Sequence, residues 1–234
     1  YPIQPVIRIT MKYSHVLFDA DETLFSFNAF EGLRVMFANY GVEFTESDYH
    51  HYQATNKPLW VAYQKHEITA SELQITRFTE WANKLDVPAK TLNDGFLDAM
   101  ASICVPLPGA VELLTKLKPH AKLGIITNGF AKLQQKRLEH TGLQDMFDWL
   151  VISELVGKAK PAPEIFQHTF QLMGNPPKEQ ILMVGDTAAS DILGGHNVGI
   201  DTCWLQHPGV ELPEDIKPTY QINQLVELEA ILGL

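Results

Sequence analysis

Apolar runs of strand length recur along the chain with helix-length stretches between them: His15–Phe18, Leu123–Ile126, Trp149–Ile152, Ile181–Val184 and Thr202–Leu205. Such alternation predicts a parallel sheet covered by helices on both faces, an α/β, doubly wound, Rossmann-like core. Punctuation agrees, because Pro108 marks a helix start while Gly142, Gly174 and Gly199 fall where helices should stop before the next strand. Between Ser26 and Ile103 the rhythm changes to helical spacing alone. Phe27, Phe30, Leu33, Phe37 and Tyr40 form one apolar face ending at Gly41, and Leu73, Phe78, Trp81 and Leu85 form another. Thr45 with Asp48 and Thr69 with Glu72 have capping-box spacing, which lets each carboxylate reach back to free helix amides. The division expected is a core of residues 12–25 and 104–234 with an all-helical cap, 26–103, inserted after the first strand. Residues 1–10 precede a Met-Lys that reads as a natural start, so they are taken as an upstream extension or vector-derived remnant.

Composition narrows the function classes. The chain has 28 acidic and 18 basic residues and a formal charge of -10. Its surface as a whole therefore repels nucleic acid and anionic membrane, and a small anionic substrate would need local positive charge. Cys104 and Cys203 lie far apart without metal-type spacing, as suits buried, reduced thiols. With no apolar run of bilayer length and no signal-type start, a cytoplasmic monomer or small homo-oligomer is expected.

Four segments carry candidate chemistry, each at the end of an expected strand or on the loop after one. The first strand runs into Asp19-Ala-Asp21-Glu-Thr23. A carboxylate at Asp19 can attack phosphorus, and a second at Asp21 can protonate the leaving oxygen and later accept a proton from water. An Asp-x-Asp at a strand end also starts turns. The second strand ends in Thr127-Asn128-Gly129, whose hydroxyl and following amide can hold phosphate oxygens, although Asn-Gly also simply turns a chain. Lys160, stiffened by Pro161, offers an ammonium for the charge of Asp19 and a phosphoryl group. The fourth segment is Gly185-Asp186 with Asp191 five residues on, where Asp186 with Asp19 and the backbone carbonyl of Asp21 would form the sparse oxygen set magnesium takes. Asp191 would orient Lys160 or a metal-bound water, or simply favour a helix start. Lys132, Lys136 and Arg137 read as one solvated helix face.

The ordered set Asp19-x-Asp21-x-Thr23, Thr127, Lys160 and Gly185-Asp186 with Asp191 resembles the haloacid dehalogenase superfamily over nearly all of residues 12–234. The resemblance implies Asp19 as nucleophile, Asp21 as acid and base, Thr127, Asn128 and Lys160 at the phosphate, and Asp19, Asp21 and Asp186 as ligands of Mg2+, for which Mn2+ or Co2+ could stand in. Dehalogenases of this type lack an acid at the position of Asp21, because halide leaves without a proton; phosphatase chemistry is therefore implied. Residues 18–25, 56–63, 124–130 and 184–188 further resemble the bacterial pyrimidine 5′-nucleotidase group. This implies a small phosphate monoester substrate such as dUMP, UMP or dTMP, with Lys57, Trp60 and Tyr63 as candidate cap contacts. Phosphoglycolate or sugar-phosphate hydrolysis is the enzymatic alternative. A phosphate-binding or phosphoacceptor module without turnover is the alternative of another class.

Overall fold

The computed structural model describes residues 11–234; the extension or remnant expected at 1–10 lies outside them. In chain order the elements begin with β1 (His15–Phe18), followed by α1 (Ala29–Ala38), α2 (Glu46–Gln64), α3 (Ala70–Thr76), α4 (Thr79–Leu85) and α5 (Ala89–Ser102). Then come α6 (Ala110–Leu117), β2 (Lys122–Thr127), α7 (Ala131–Thr141), β3 (Trp149–Ile152), α8 (Ser153–Val156) and α9 (Pro163–Leu172). The chain closes with β4 (Ile181–Gly185), α10 (Leu193–Val198), β5 (Asp201–Leu205), β6 (Tyr220–Ile222) and α11 (Glu227–Leu232). No helix among the described residues is long and apolar enough to cross a membrane.

All six strands pair in parallel in the order β3-β2-β1-β4-β5-β6. The α/β, doubly wound reading therefore holds. Side-chain alternation explains why the central strands are apolar on both faces. Val16, Phe18, Leu123, Ile125, Leu182 and Val184 pack with leucines of α6 and α11, whereas Leu17, Ile126, Ile181 and Met183 pack with Ile165, Phe166 and Phe170 of α9. Chain order reverses about β1, with β2 on one side and β4 on the other. The crevice beyond the carboxyl ends of β1 and β4 is thus the natural ligand position.

The segment between β1 and β2 contributes α1–α5, which share their own apolar cluster built on Leu33, Phe37, Leu73, Phe78 and Phe96. Both capping boxes form, Thr45 with Asp48 and Thr69 with Glu72, and each fixes a helix start. Helix α5 lies against α7, where Lys132 and Lys136 both reach Asp98. Gly142, Gly174 and Gly199 all take positive φ at helix ends, as their punctuation implies. Helix α6 begins two residues after Pro108, because Gly109, at φ +80°, makes the turn into it. Strand β6 went unread because three residues, Tyr220–Ile222, carry too little alternation to register. Both cysteines are free and buried.

Candidate active site

Asp19 follows directly on β1, and its amide donates to the Val184 carbonyl of β4 at 2.9 Å, which places it over the crevice. Its carboxylate is nearly buried, and Oδ1 accepts from Lys160 Nζ at 2.7 Å. Lys160 is itself 1% exposed and spends its other donors on Asp191 Oδ1 at 2.7 Å and the Ile126 carbonyl at 2.6 Å. The ammonium is therefore held on three sides. Asn128 fixes the backbone that carries it: its Nδ2 donates to the Lys160 carbonyl and its Oδ1 accepts from the Lys160 amide. The side chain of Asn128 is thus tied to Lys160, with one amide N–H left over.

Asp191 sits in a π-helical turn, Ala188–Ile192, where Oδ2 accepts from the Thr187 amide at 3.0 Å. Of the two readings of Asp191, orientation of Lys160 is the one observed. Gly185 is required here, because any Cβ would fall inside the contact radius of the Asp191 carboxylate. Asp186 is held from two sides: Thr23 Oγ1 accepts from its amide at 3.1 Å, and its carbonyl accepts from Trp204 Nε1 at 2.7 Å. Thr127 is buried at the end of β2, and its hydroxyl accepts from the Gly129 amide at 3.0 Å, which leaves its own proton to donate.

Asp21 lies in different surroundings. Its side chain is 30% exposed, and Oδ1 pairs with Nη1 of Arg137. Arg137 is the correction to the sequence reading: Lys132 and Lys136 are partly solvated, but Arg137 is 1% exposed. Its Nε and Nη2 both donate to Gln134 Oε1, and its guanidinium lies over the Phe25 ring. The helical spacing of Gln134 and Arg137, on the helix that starts just after Thr127-Asn128-Gly129, is the signal that would have pointed inward.

Four aspartates, Asp19, Asp21, Asp186 and Asp191, thus face two buried cations, Lys160 and Arg137. Burial, more than the neighbouring carboxylates, pushes Asp19 up to about 8 against the pull of Lys160. Burial and then Asp191 push Asp186 up to about 6. Burial opposes the charge on Lys160, yet Asp19 and Asp191 raise it above its ordinary value. With all four carboxylates ionised, two negative charges are left over from pairing with Lys160 and Arg137, a surplus that a hard divalent cation would offset, and oxygens of Asp19, Asp186 and Asp191 lie within 4.8 Å of one another. Both oxygens of Asp191 are already engaged, so Asp19 and Asp186 are the freer pair. The donor set fits magnesium.

A cavity of about 310 Å³ opens over these groups and is roofed by α2 and its neighbours. Of the three cap contacts expected, Trp60 lines it, stacked on Phe130 with ring centroids 5.2 Å apart. Lys57 is exposed and does not line it. Tyr63 turns away, with its hydroxyl bonded to Ser153 Oγ at 2.8 Å. The lining stripe of α2 is instead Gln53, Asn56, Trp60 and Gln64. Steps of three, four and four residues keep these on one helix face, a signal readable once Trp60 is taken as its centre.

Fold and site define a doubly wound α/β protein with an aspartate-rich site at the carboxyl edge of a parallel sheet. A model of the haloacid dehalogenase-like hydrolase family matches residues 13–199, and the chain belongs to that family. It is 56% identical over 222 residues to pyrimidine 5′-nucleotidase YjjG of Escherichia coli, covering 95% of this chain and 99% of that one. It is 31% identical to pyrimidine 5′-nucleotidase PynA of Streptococcus pneumoniae, covering 93% and 94%. Among solved structures, the magnesium-bound HAD-hydrolase YfnB of Bacillus subtilis superposes with a TM-score of 0.83 at 31% identity, covering 95% and 100%.

Proposed function

We propose that the protein is a magnesium-dependent 5′-nucleotidase that hydrolyses pyrimidine nucleoside 5′-monophosphates through an aspartyl-phosphate on Asp19. The carrying observation is the pair Asp19 and Asp21: two carboxylates two residues apart, one nearly buried against Lys160 and the other half-exposed against Arg137. Different environments give equal groups different tasks. An oxygen of Asp19 bonds to phosphorus as the bond to the 5′ oxygen breaks, and Asp21 gives that oxygen its proton. A water then bonds to phosphorus, the acyl-phosphate bond breaks, and the water's proton returns to Asp21.

Lys160, the Thr127 hydroxyl and the main chain at Asn128 would hold the phosphoryl oxygens. Asp19, Asp186 and the carbonyl of Asp21 would hold Mg2+, which when bound supplies positive charge to the phosphoryl group and to both carboxylates. The preference for pyrimidine nucleotides draws on the 56% identity to YjjG over 95% of this chain and 99% of that one. Asp19→Asn should abolish phosphate release from UMP while leaving the unfolding midpoint near that of the parent, since the exchange keeps shape and removes the attacking charge. Turnover by that variant would refute the covalent route. Faster release from phosphoglycolate or glucose phosphate than from UMP or dUMP would refute the substrate. A single stoichiometric release would favour the phosphoacceptor alternative.

A further inference from the structure

Arg77 lines the same cavity as Asp19 and Lys160, yet the phosphoryl chemistry does not use it. It follows α3 and is 5% exposed. Its Nε donates to Asn93 Oδ1 at 3.0 Å and its Nη2 reaches the same oxygen. Asn93 is fixed in turn, because its Nδ2 donates to Gln74 Oε1 at 2.8 Å. The guanidinium is packed among Phe78, Phe96 and Phe130, its carbon 5.2 to 5.3 Å from each ring centroid.

Among the described residues no carboxylate pairs with it, and the other polar side chain that bears on it is the neutral Tyr52 hydroxyl. Burial holds its pKa below the ordinary arginine value, and the Tyr52 hydroxyl offsets only part of that cost. A guanidinium carries five N–H donors, and one amide oxygen with one phenol oxygen does not satisfy them. A buried cation kept without a counter-ion at a cavity wall is a donor waiting for a ligand acceptor.

The surrounding groups decide which acceptor. Gln53, Asn56 and Gln64 are neutral amides and Trp60 is a flat aromatic surface. A wall of this kind suits a neutral planar ring with alternating donors and acceptors better than a second anion. Uracil, thymine and cytosine share a single feature on that edge, the 2-carbonyl oxygen; adenine has no carbonyl at all. Amide side chains both donate and accept, so they tolerate the 4-oxo and 4-amino groups alike.

We propose that Arg77 is a specificity-determining residue that donates to the 2-carbonyl oxygen of a pyrimidine base stacked on Trp60. The proposal rests on the nucleotidase reading above. Its test compares kcat/KM for UMP and for p-nitrophenyl phosphate, which has no base, in the full chain with Mg2+. In Arg77→Gln the ratio of the two should fall about 10- to 100-fold, the worth of a hydrogen bond to a charged donor. Equal losses on both substrates, or an unchanged ratio, would overturn the assignment.

Because Arg77 is buried, the parent enzyme supplies a second measurement that does not depend on the variant folding. Sulfur is a weaker acceptor than oxygen, so 2-thiouridine 5′-monophosphate should be turned over about 10-fold less efficiently than UMP, and 4-thiouridine 5′-monophosphate close to UMP. Equal handling of the two thio analogues, or loss confined to the 4-thio compound, would overturn the proposal. A parent enzyme that hydrolyses ribose 5-phosphate as well as UMP would instead defeat the nucleotidase reading, and this proposal with it.

Discussion

Replacing Arg137 with methionine separates the acid–base role proposed for Asp21 from the roles proposed for Asp19 and Lys160. Arg137 touches neither Lys160 nor Asp19; it meets Asp21 Oδ1, Gln134 Oε1 and the Phe25 ring. Methionine keeps much of the packing on Phe25 and removes the charge. Breaking a buried ion pair costs about 3–5 kcal/mol when the remaining charge is stranded. Asp21 is 30% exposed and water can reach it, so the stability loss should be smaller, about 1–2 kcal/mol. Catalysis should suffer more. General acid–base assistance is worth about 10²- to 10⁴-fold, and an Asp21 freed from its anchor should forfeit about 10² of it on UMP, whose 5′ oxygen must leave with a proton. The phenolate of p-nitrophenyl phosphate leaves without one, so the same variant should lose less than about 10-fold on that substrate. Initial rates on both esters, with calorimetry for stability, measure the difference. Equal losses on the two esters would refute the view that Arg137 acts by positioning an acid.

Two further outcomes follow from the electrostatics and packing of the site. Asp19 and Asp186 are raised to about 8 and about 6, so the metal-free fold retains protons that the unfolded chain releases. Their contribution to stability is full below the ordinary carboxylate range and lost as pH rises through about 6 and about 8; thermal unfolding with chelator should show the midpoint falling across that window. Millimolar Mg2+ should raise the midpoint more at pH 8 than at pH 5, and an equal rise at both would count against Asp19 and Asp186 as ligands. Gly185→Ala should drive the Asp191 carboxylate off Lys160 and lower kcat on UMP and p-nitrophenyl phosphate alike by at least about 10-fold, because it disturbs the ammonium that serves any phosphoryl group. An active Gly185→Ala enzyme would show that Asp191 is not needed to hold Lys160.

What the sequence disclosed follows from how local each cause is. Strands β1–β5 are read because each carries a continuous apolar run that the sheet buries, and the two capping boxes because two residues three positions apart suffice to specify them. The residues Asp19, Asp21, Thr127, Lys160, Asp186 and Asp191 converge because each closes a parallel strand or the loop after one, and parallel strands end on one edge. Arg137 and Arg77 were not legible, because burial of a cation depends on what packs over it: Phe25 in one case, Phe78, Phe96 and Phe130 in the other. Tyr63 was misjudged as a contact for the same reason. Its hydroxyl is taken by Ser153, a partner distant in sequence that only the tertiary fold brings beside it.

Lys160 and Arg137 are tied to different members of the Asp19-x-Asp21 pair, and that division answers a difficulty in the chemistry. Two carboxylates this close in sequence would, in one shared environment, compete for a single proton and blur their tasks. Lys160 and Asp191 enclose Asp19 in a site 12% exposed, while Arg137 draws Asp21 toward α7 and leaves it 30% exposed to water. On the proposed route Asp19 is thereby shielded from the solvent that would hydrate it, and Asp21 keeps access to the water it would deprotonate. The anchor of one is a loop residue clamped by Asn128, and that of the other is a helix residue clamped by Gln134. A perturbation on α7 should therefore reach Asp21 without passing through Asp19, which is why the leaving-group dependence of Arg137→Met is the sharper test of how labour is divided here.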